Sequence, residues 1–202
     1  GKAYPDDLGQ TMSSEDFYAA MAAGADTSTS QVNVSEYLAY FTSLLSEGKD
    51  VLHVTLSSGL SGSIQSARTA AEMALEQFPD RKLYVVDSLA ASSGFGLLMD
   101  KLADLRDSGM ELEELAAWTE ANRLKLHHWF FSTDLTFFVK GGRISKTVAF
   151  AGGLLNIKPV LSVTDGEINI LGKARGSKMG NNLLVQEIAK AGGIDFTKPV
   201  LL

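Results

Sequence analysis

His53-Val54-Thr55-Leu56-Ser57-Ser58-Gly59-Leu60-Ser61-Gly62-Ser63-Ile64-Gln65-Ser66-Ala67 is the stretch on which the reading of this chain turns. The apolar run over 51–56 reads as a buried strand. A small-residue turn follows, and then a helix opens with Ala67, Ala71, Ala74 and Leu75 on one face. Strand, Ser/Gly turn and helix together make an anion site: the free N–H groups of a first helical turn point at the ligand, and the helix dipole favours negative charge. Gly59 and Gly62 let backbone approach closely, while Ser57, Ser58, Ser61 and Ser63 offer hydroxyl donors. A capped helix start with Ser61 as N-cap is the plainer reading. Four serines and two glycines within 57–63 exceed what capping requires.

The 202 residues suit one large domain or two small ones, and 45% hydrophobic content supports a substantial core. A formal charge of -6 argues against a nucleic-acid protein. The absence of cysteine removes disulfides and thiolate chemistry and fits a reducing, cytoplasmic setting. No apolar run approaches the roughly 18 residues of a membrane span, and no signal-peptide pattern stands in the chain, although Gly1 is not a natural start. With His53, His127 and His128 as the three histidines, none in an HExxH spacing, neither a metal site nor a cofactor is expected.

Outward from the central stretch, Ser13-Ser14-Glu15-Asp16 reads as a helix start, with Gly24 as its stop. Residues 25–31 form a loop. Asn33 and Glu36 make a capping box ahead of the stripe Tyr37, Leu38, Phe41, Leu44 and Leu45. Residues 82–86 are a second buried strand, closed by Asp87-Ser88, which either line the same crevice as Ser61 or form a turn and cap. Helices are expected after 90 and over 110–126. The strand–helix alternation implies a parallel sheet. After Trp129 the pattern changes. A short strand at 130–132 comes first, and 135–139 leads into Lys140-Gly141-Gly142-Arg143-Ile144-Ser145. The segments 157–163 and 168–171 then flank Thr164-Asp165-Gly166-Glu167, a hairpin signal. A last helix is expected over 178–191, and 199–202 reads as the start of a strand. The fold class is therefore α/β, with a parallel unit over 1–126 and a mixed unit with an antiparallel element over 127–202. The stretch 140–178 carries seven cations (Lys140, Arg143, Lys146, Lys158, Lys173, Arg175 and Lys178) against Asp165 and Glu167. Such a face suits an anionic ligand or an acidic partner, or is simply solvated.

These motifs resemble the bacterial DegV family of fatty-acid-binding proteins. Thr29-Ser30-Gln31 is similar to its TSQ loop, and Ser57 to Ala67 to its SSGLSGTYQSA motif, with Ser63 replacing the usual threonine. Val85-Val86-Asp87-Ser88 resembles VVDS, Gly141 to Ser145 resembles GGRIS, Leu154-Leu155-Asn156-Ile157-Lys158-Pro159 resembles LLNIKP, and Lys173-Ala174-Arg175-Gly176 resembles KxRG. Family members also have a first strand with a TDS-type motif and a later HTGPG-like segment whose histidine contacts the ligand. Neither stands in this chain, which therefore reads as a fragment or as one chain of a split protein. The resemblance implies a two-domain fold that binds one long-chain fatty acid. The tail would lie between the domains and the carboxylate at Thr29, Ser30, Ser58, Ser61 and Gly62, with Ser61 favoured over Ser58 as the hydroxyl contact. It further implies a partner, an ATP-dependent fatty acid kinase, and places Arg143, Lys173 and Arg175 on the partner or phosphate face. The chain itself is expected to be no enzyme. Two other readings compete. A phospho-ligand or nucleotide binder would use the anion turn and basic face, but no Walker lysine follows the glycines. A serine acyl hydrolase would use Ser61, but Gly59-Leu60-Ser61-Gly62-Ser63 is not a GxSxG elbow, and the likelier place of His53 is the core.

Overall fold

Ser13 and Asn33, both in extended backbone, open the first two helices of the chain. The computed structural model describes residues 7, 9–132, 135–145 and 157–194. The chain divides into two compact units, 1–30 and 31–202. In the first, α1 (Ser14–Ala22) is capped by the Ser13 hydroxyl, which accepts the Asp16 N–H at 3.1 Å. Glu15 and Asp16 place negative charge in its first turn, where the dipole favours it. Gly24, with φ +92°, turns the chain out of the helix.

In the second unit, α2 (Val34–Ser46) carries the expected capping box: the Asn33 Oδ1 accepts the Glu36 N–H and the Glu36 carboxylate accepts the Asn33 N–H, each at 3.0 Å. Tyr37, Phe41 and Leu45, spaced by four, are its buried residues. They pack on Ala67, Ala70, Ala71 and Ala74 of α3 (Ser63–Gln77). The alanines let the two helix backbones come close. Strands β1 (Val51–Thr55) and β2 (Leu83–Asp87) pair in parallel, from Val51↔Leu83 to Thr55↔Asp87. Helices α4 (Ser92–Asp107) and α5 (Leu112–Asn122) follow. Alternate residues of β1 serve different clusters. Val51 packs with the α2/α3 cluster, and Leu52 and Val54 with Leu98, Leu102 and Leu115. A strand covered on both faces explains why the sequence shows a continuous apolar run instead of an alternating one.

His53 meets the rings of Tyr37 (centroids 5.1 Å apart) and Phe41 (5.3 Å), both edge-on. Burial lowers its pKa from the usual histidine range, and it does the same for His128. Both are therefore neutral in the folded chain near neutrality. As pH falls below about 6.5 the unfolded chain takes up protons there while the folded chain does not. Stability contributed by these histidines is complete above that pH and is lost as pH falls below it. The urea midpoint is expected to be lower at pH 5.5 than at pH 7.5; an equal or higher midpoint at pH 5.5 contradicts this.

The second sheet has the order β3-β4-β5 and is antiparallel throughout. Its strands are β3 (His128–Phe131), β4 (Ile157–Thr164) and β5 (Glu167–Arg175). The expected hairpin is present, with Thr164 opposite Glu167. Asp165 (φ 51°) and Gly166 (φ 83°) both take positive φ, as a two-residue turn matched to strand twist requires. A short helix, α6 (Thr136–Lys140), precedes the GGRIS motif. The last described element, α7 (Gly176–Lys190), begins two residues before the expected start and follows β5 directly. Likewise β3 starts at His128, two residues earlier than expected. In both cases neighbouring elements extend a regular structure past its apolar pattern. Leu135, Ile144 and Leu161 form the core of this part. Lys146, Leu154, Leu155, Asn156 and the strand expected at 199–202 lie outside the described residues.

Candidate functional site

The carboxyl end of β1 delivers Ser57 into a fully buried position. Its N–H donates to the Ala90 carbonyl (3.0 Å), and its own carbonyl accepts the Leu60 and Ser61 N–H groups (3.0 and 3.1 Å). The Ser57 hydroxyl accepts the Gly59 N–H (3.2 Å) and donates to the Gly166 carbonyl (2.6 Å). The hairpin tip thus seats on the Ser/Gly turn.

Asp87, the buried last residue of β2, supports the same turn. Its Oδ1 accepts the Ser58 N–H (3.1 Å) and the Leu89 N–H (3.0 Å), and Arg123 donates to its backbone carbonyl (2.7 Å). Ser88 bonds locally: its hydroxyl accepts the Ala90 N–H at 3.0 Å. Of the two residues, Asp87 reaches the turn and Ser88 shapes its own loop. That loop is strained, since Leu89 and Ser92 both sit at φ 50°, a backbone region that disfavours side chains.

Helix α3 opens with Gly62, not Ser61, in the N-cap position. Ser61 stands one residue earlier. Its hydroxyl accepts the Ser63 N–H (3.2 Å) and shares a hydrogen bond with the Ser63 hydroxyl (2.8 Å). Burial raises the pKa of the Tyr37 phenol, and Ser63 tempers that rise. Ser61 and Ser63 are half-buried, and Ser58 is exposed. Among the described residues the Gly62 N–H has no hydrogen-bond partner. The site therefore presents a free N–H beside a half-buried hydroxyl, at the positive end of a 15-residue helix.

Gln31 closes this corner from the preceding loop. Its Nε2 donates to the buried Ser66 hydroxyl at 3.3 Å. A side chain at Gly62 would displace its carboxamide. Thr29 and Ser30 are exposed and belong to the first unit. Arg143 Nε donates to the Leu60 carbonyl (3.0 Å) and its Nη1 to the Gly141 carbonyl (2.5 Å). It meets carbonyl oxygens at both contacts. Lys173 and Arg175 are exposed, two residues apart on β5, and so share one face of the strand. The sequence offered Ser57 as a hydroxyl donor to a ligand, whereas its proton goes to the Gly166 carbonyl. The role of Gln31 had no signal beyond its place in the TSQ motif.

The family model described as "Uncharacterised protein, DegV family" matches residues 1–198. The chain belongs to the DegV family. A DegV domain-containing protein of Clostridium perfringens is 38% identical over 188 residues, covering 93% of this chain and 65% of the relative. Two solved structures are also similar. One is a stearic acid-binding protein from Eubacterium ventriosum, with TM-score 0.80 and 28% identity, covering 91% of this chain and 63% of that one. The other is the fatty acid kinase (Fak) B3 protein of Streptococcus pneumoniae loaded with linoleic acid, with TM-score 0.79 and 35% identity, covering 91% of this chain and 64% of that one. The chain thus spans a little under two thirds of the length of these DegV proteins. The parallel pair and the antiparallel sheet agree with the DegV fold. Among the described residues no helix is long and apolar enough to cross a membrane.

Proposed function

We propose that this DegV chain binds one long-chain fatty acid and presents it to an ATP-dependent fatty acid kinase. The carrying observation is the free Gly62 N–H beside the Ser61 hydroxyl at the start of α3, in a chain similar to proteins described as holding stearic and linoleic acid. In this reading the carboxylate rests on Ser61 and Gly62, with Thr29, Ser30 and Ser58 completing the cradle. Ser61 is favoured over Ser58 because it adjoins Gly62 at the start of α3, where the helix dipole favours negative charge. The tail runs between a functional division at 1–126 and another at 127–202. The role is binding, not catalysis, since the recorded partner of the Ser61 hydroxyl is another hydroxyl and not an imidazole. The setting is the cytoplasm, where the kinase partner would meet the chain.

Organic extraction of the purified chain followed by mass spectrometry tests this directly. A stoichiometric long-chain acid is the expected result. A bound phosphate ester or nucleotide, or a chain that neither carries nor takes up oleate, overturns it.

Arg143, Lys173 and Arg175 form the partner or phosphate face in this reading. The forked donors of arginine suit a phosphate bidentately. Arg175→Ala is expected to leave oleate affinity and thermal midpoint nearly unchanged while slowing kinase-dependent phosphorylation. The deficit should be larger at low salt, because steering is screened over about 10 Å at 0.1 M ionic strength. Loss of oleate binding or of the fold in Arg175→Ala removes the residue from that face.

A further inference from the structure

We propose that Ser57 is the positioning residue of the carboxylate turn, a role that rests on the fatty-acid reading of that turn, and that it couples head-group binding to the seating of the β4–β5 hairpin tip. Ser57 does not itself face a ligand. It is fully buried, and a hydroxyl has one proton to give. That proton goes to the Gly166 carbonyl at 2.6 Å. Its other bonds set the path of the backbone from 59 to 61. The Gly59 N–H closes on the hydroxyl, and the Leu60 and Ser61 N–H groups close on the Ser57 carbonyl. Ser58 and Gly59 are exposed and bring no core packing of their own. The direction of the Ser61 hydroxyl and the Gly62 N–H therefore follows from Ser57.

The seat on the hairpin is built by two glycines. A Cβ on Gly59 would lie 2.6 Å from the Gly166 carbonyl and 2.9 Å from Glu167 Cγ. A Cβ on Gly166 would lie 2.5 Å from Ser57 Oγ and 2.8 Å from Leu89 Cδ2. Backbone meets backbone here because neither residue carries a side chain. Arg143 adds a second hold on the same turn through the Leu60 carbonyl. A turn held from two later segments of chain is ordered when those segments are seated. By linkage, a ligand that orders the turn must also favour the seating, by the same factor.

Two variants of the 202-residue chain test this, Ser57→Ala and Gly59→Ala. The first removes the hydroxyl; the second keeps it and wedges a methyl under the tip. Two measurements are made on each: amide hydrogen exchange over 59–61 and 165–167 without ligand, and displacement of a fluorescent fatty acid by oleate and by methyl oleate. In both variants exchange is expected to rise at least tenfold at the turn and at the tip together. Oleate affinity should fall at least tenfold, while methyl oleate changes by less than twofold. The ester carries the same tail without the charge, so a general loosening of the fold would weaken both ligands alike. Unchanged exchange at 165–167, or equal loss of oleate and methyl oleate, overturns the proposal. If the unsubstituted chain prefers oleate no more than its ester, the carboxylate reading fails and the head-group role of Ser57 falls with it. The exchange data still decide whether the turn and the tip move together. If Ser57→Ala does not fold, Gly59→Ala decides by the same measures.

Discussion

Thr29→Ala combined with Ser61→Ala is expected to reduce sharply the preference of this chain for a free fatty acid over its methyl ester. Each hydroxyl would make a hydrogen bond to a carboxylate, and loss of one such bond costs about 1–3 kcal/mol. Ser61→Ala alone should therefore weaken oleate about 5- to 150-fold, since about 1.4 kcal/mol is tenfold in affinity. The double variant should lose more, but less than the sum, because the two groups share one ligand atom group and do not act independently. The Gly62 N–H and the dipole of α3 remain in the variant and should keep a residual preference for charge. Isothermal titration with oleate and methyl oleate reads both effects. Oleate affinity unchanged in the double variant would remove Thr29 and Ser61 from the site and shift attention to Ser58. Ser61→Ala also deletes the acceptor for the Ser63 N–H. A modest loss of stability is thus expected alongside, and titrating the ester separates it from the loss of head-group binding.

Phe41→Ala should destabilise the fold by about 3–5 kcal/mol, the usual range for truncating a buried aromatic ring. The ring is fully buried on α2, stacked on Tyr37 at 5.6 Å and edge-on to His53 at 5.3 Å. Its neighbours on α3 are alanines, which have no side-chain length with which to refill the space. The site should suffer as well. Tyr37 lies on the same face of α2, stacked on Phe41, and Ser63 tempers the pKa of its phenol, so loss of the ring lets the phenol shift near the start of α3. Urea unfolding gives the stability change directly. With a slope near 1–3 kcal/mol per molar, the midpoint should fall by more than 1 M. A change below about 1 kcal/mol would mean that α2 is not packed as described.

Much of the local structure was legible in the residues themselves. Ser13 and Asn33 were read as helix starts, and both cap a helix through their side chains. The apolar run over 51–56 was read as a buried strand, and β1 occupies all but its last residue. Asp165-Gly166 was read as a hairpin turn, and both residues take the positive φ that this turn needs. These signals act within a few residues, so the sequence carries them without help from the rest of the fold. Element ends were less legible. The starts of β3 and α7 depend on pairing with β4 and on continuation from β5, neither of which leaves an apolar period in the sequence.

The sequence by itself determined the strand–turn–helix unit, the change from parallel to antiparallel pairing, and the family. What holds the turn in shape was decided by tertiary structure. The Ser57–Gly166 bond joins residues 109 positions apart, the Arg143–Leu60 bond 83, and the Asp87–Ser58 bond 29. Serine, arginine and aspartate are equally at home on a solvated loop, and nothing in their own neighbourhood tells which carbonyl or N–H each will meet. That choice follows from how the hairpin tip docks against the ends of β1 and β2. Such docking is set by the packing of whole elements, and it reaches the site as a few side chain–backbone hydrogen bonds, of which the Ser57–Gly166 bond is buried, where leaving a group unpaired costs about 1–3 kcal/mol.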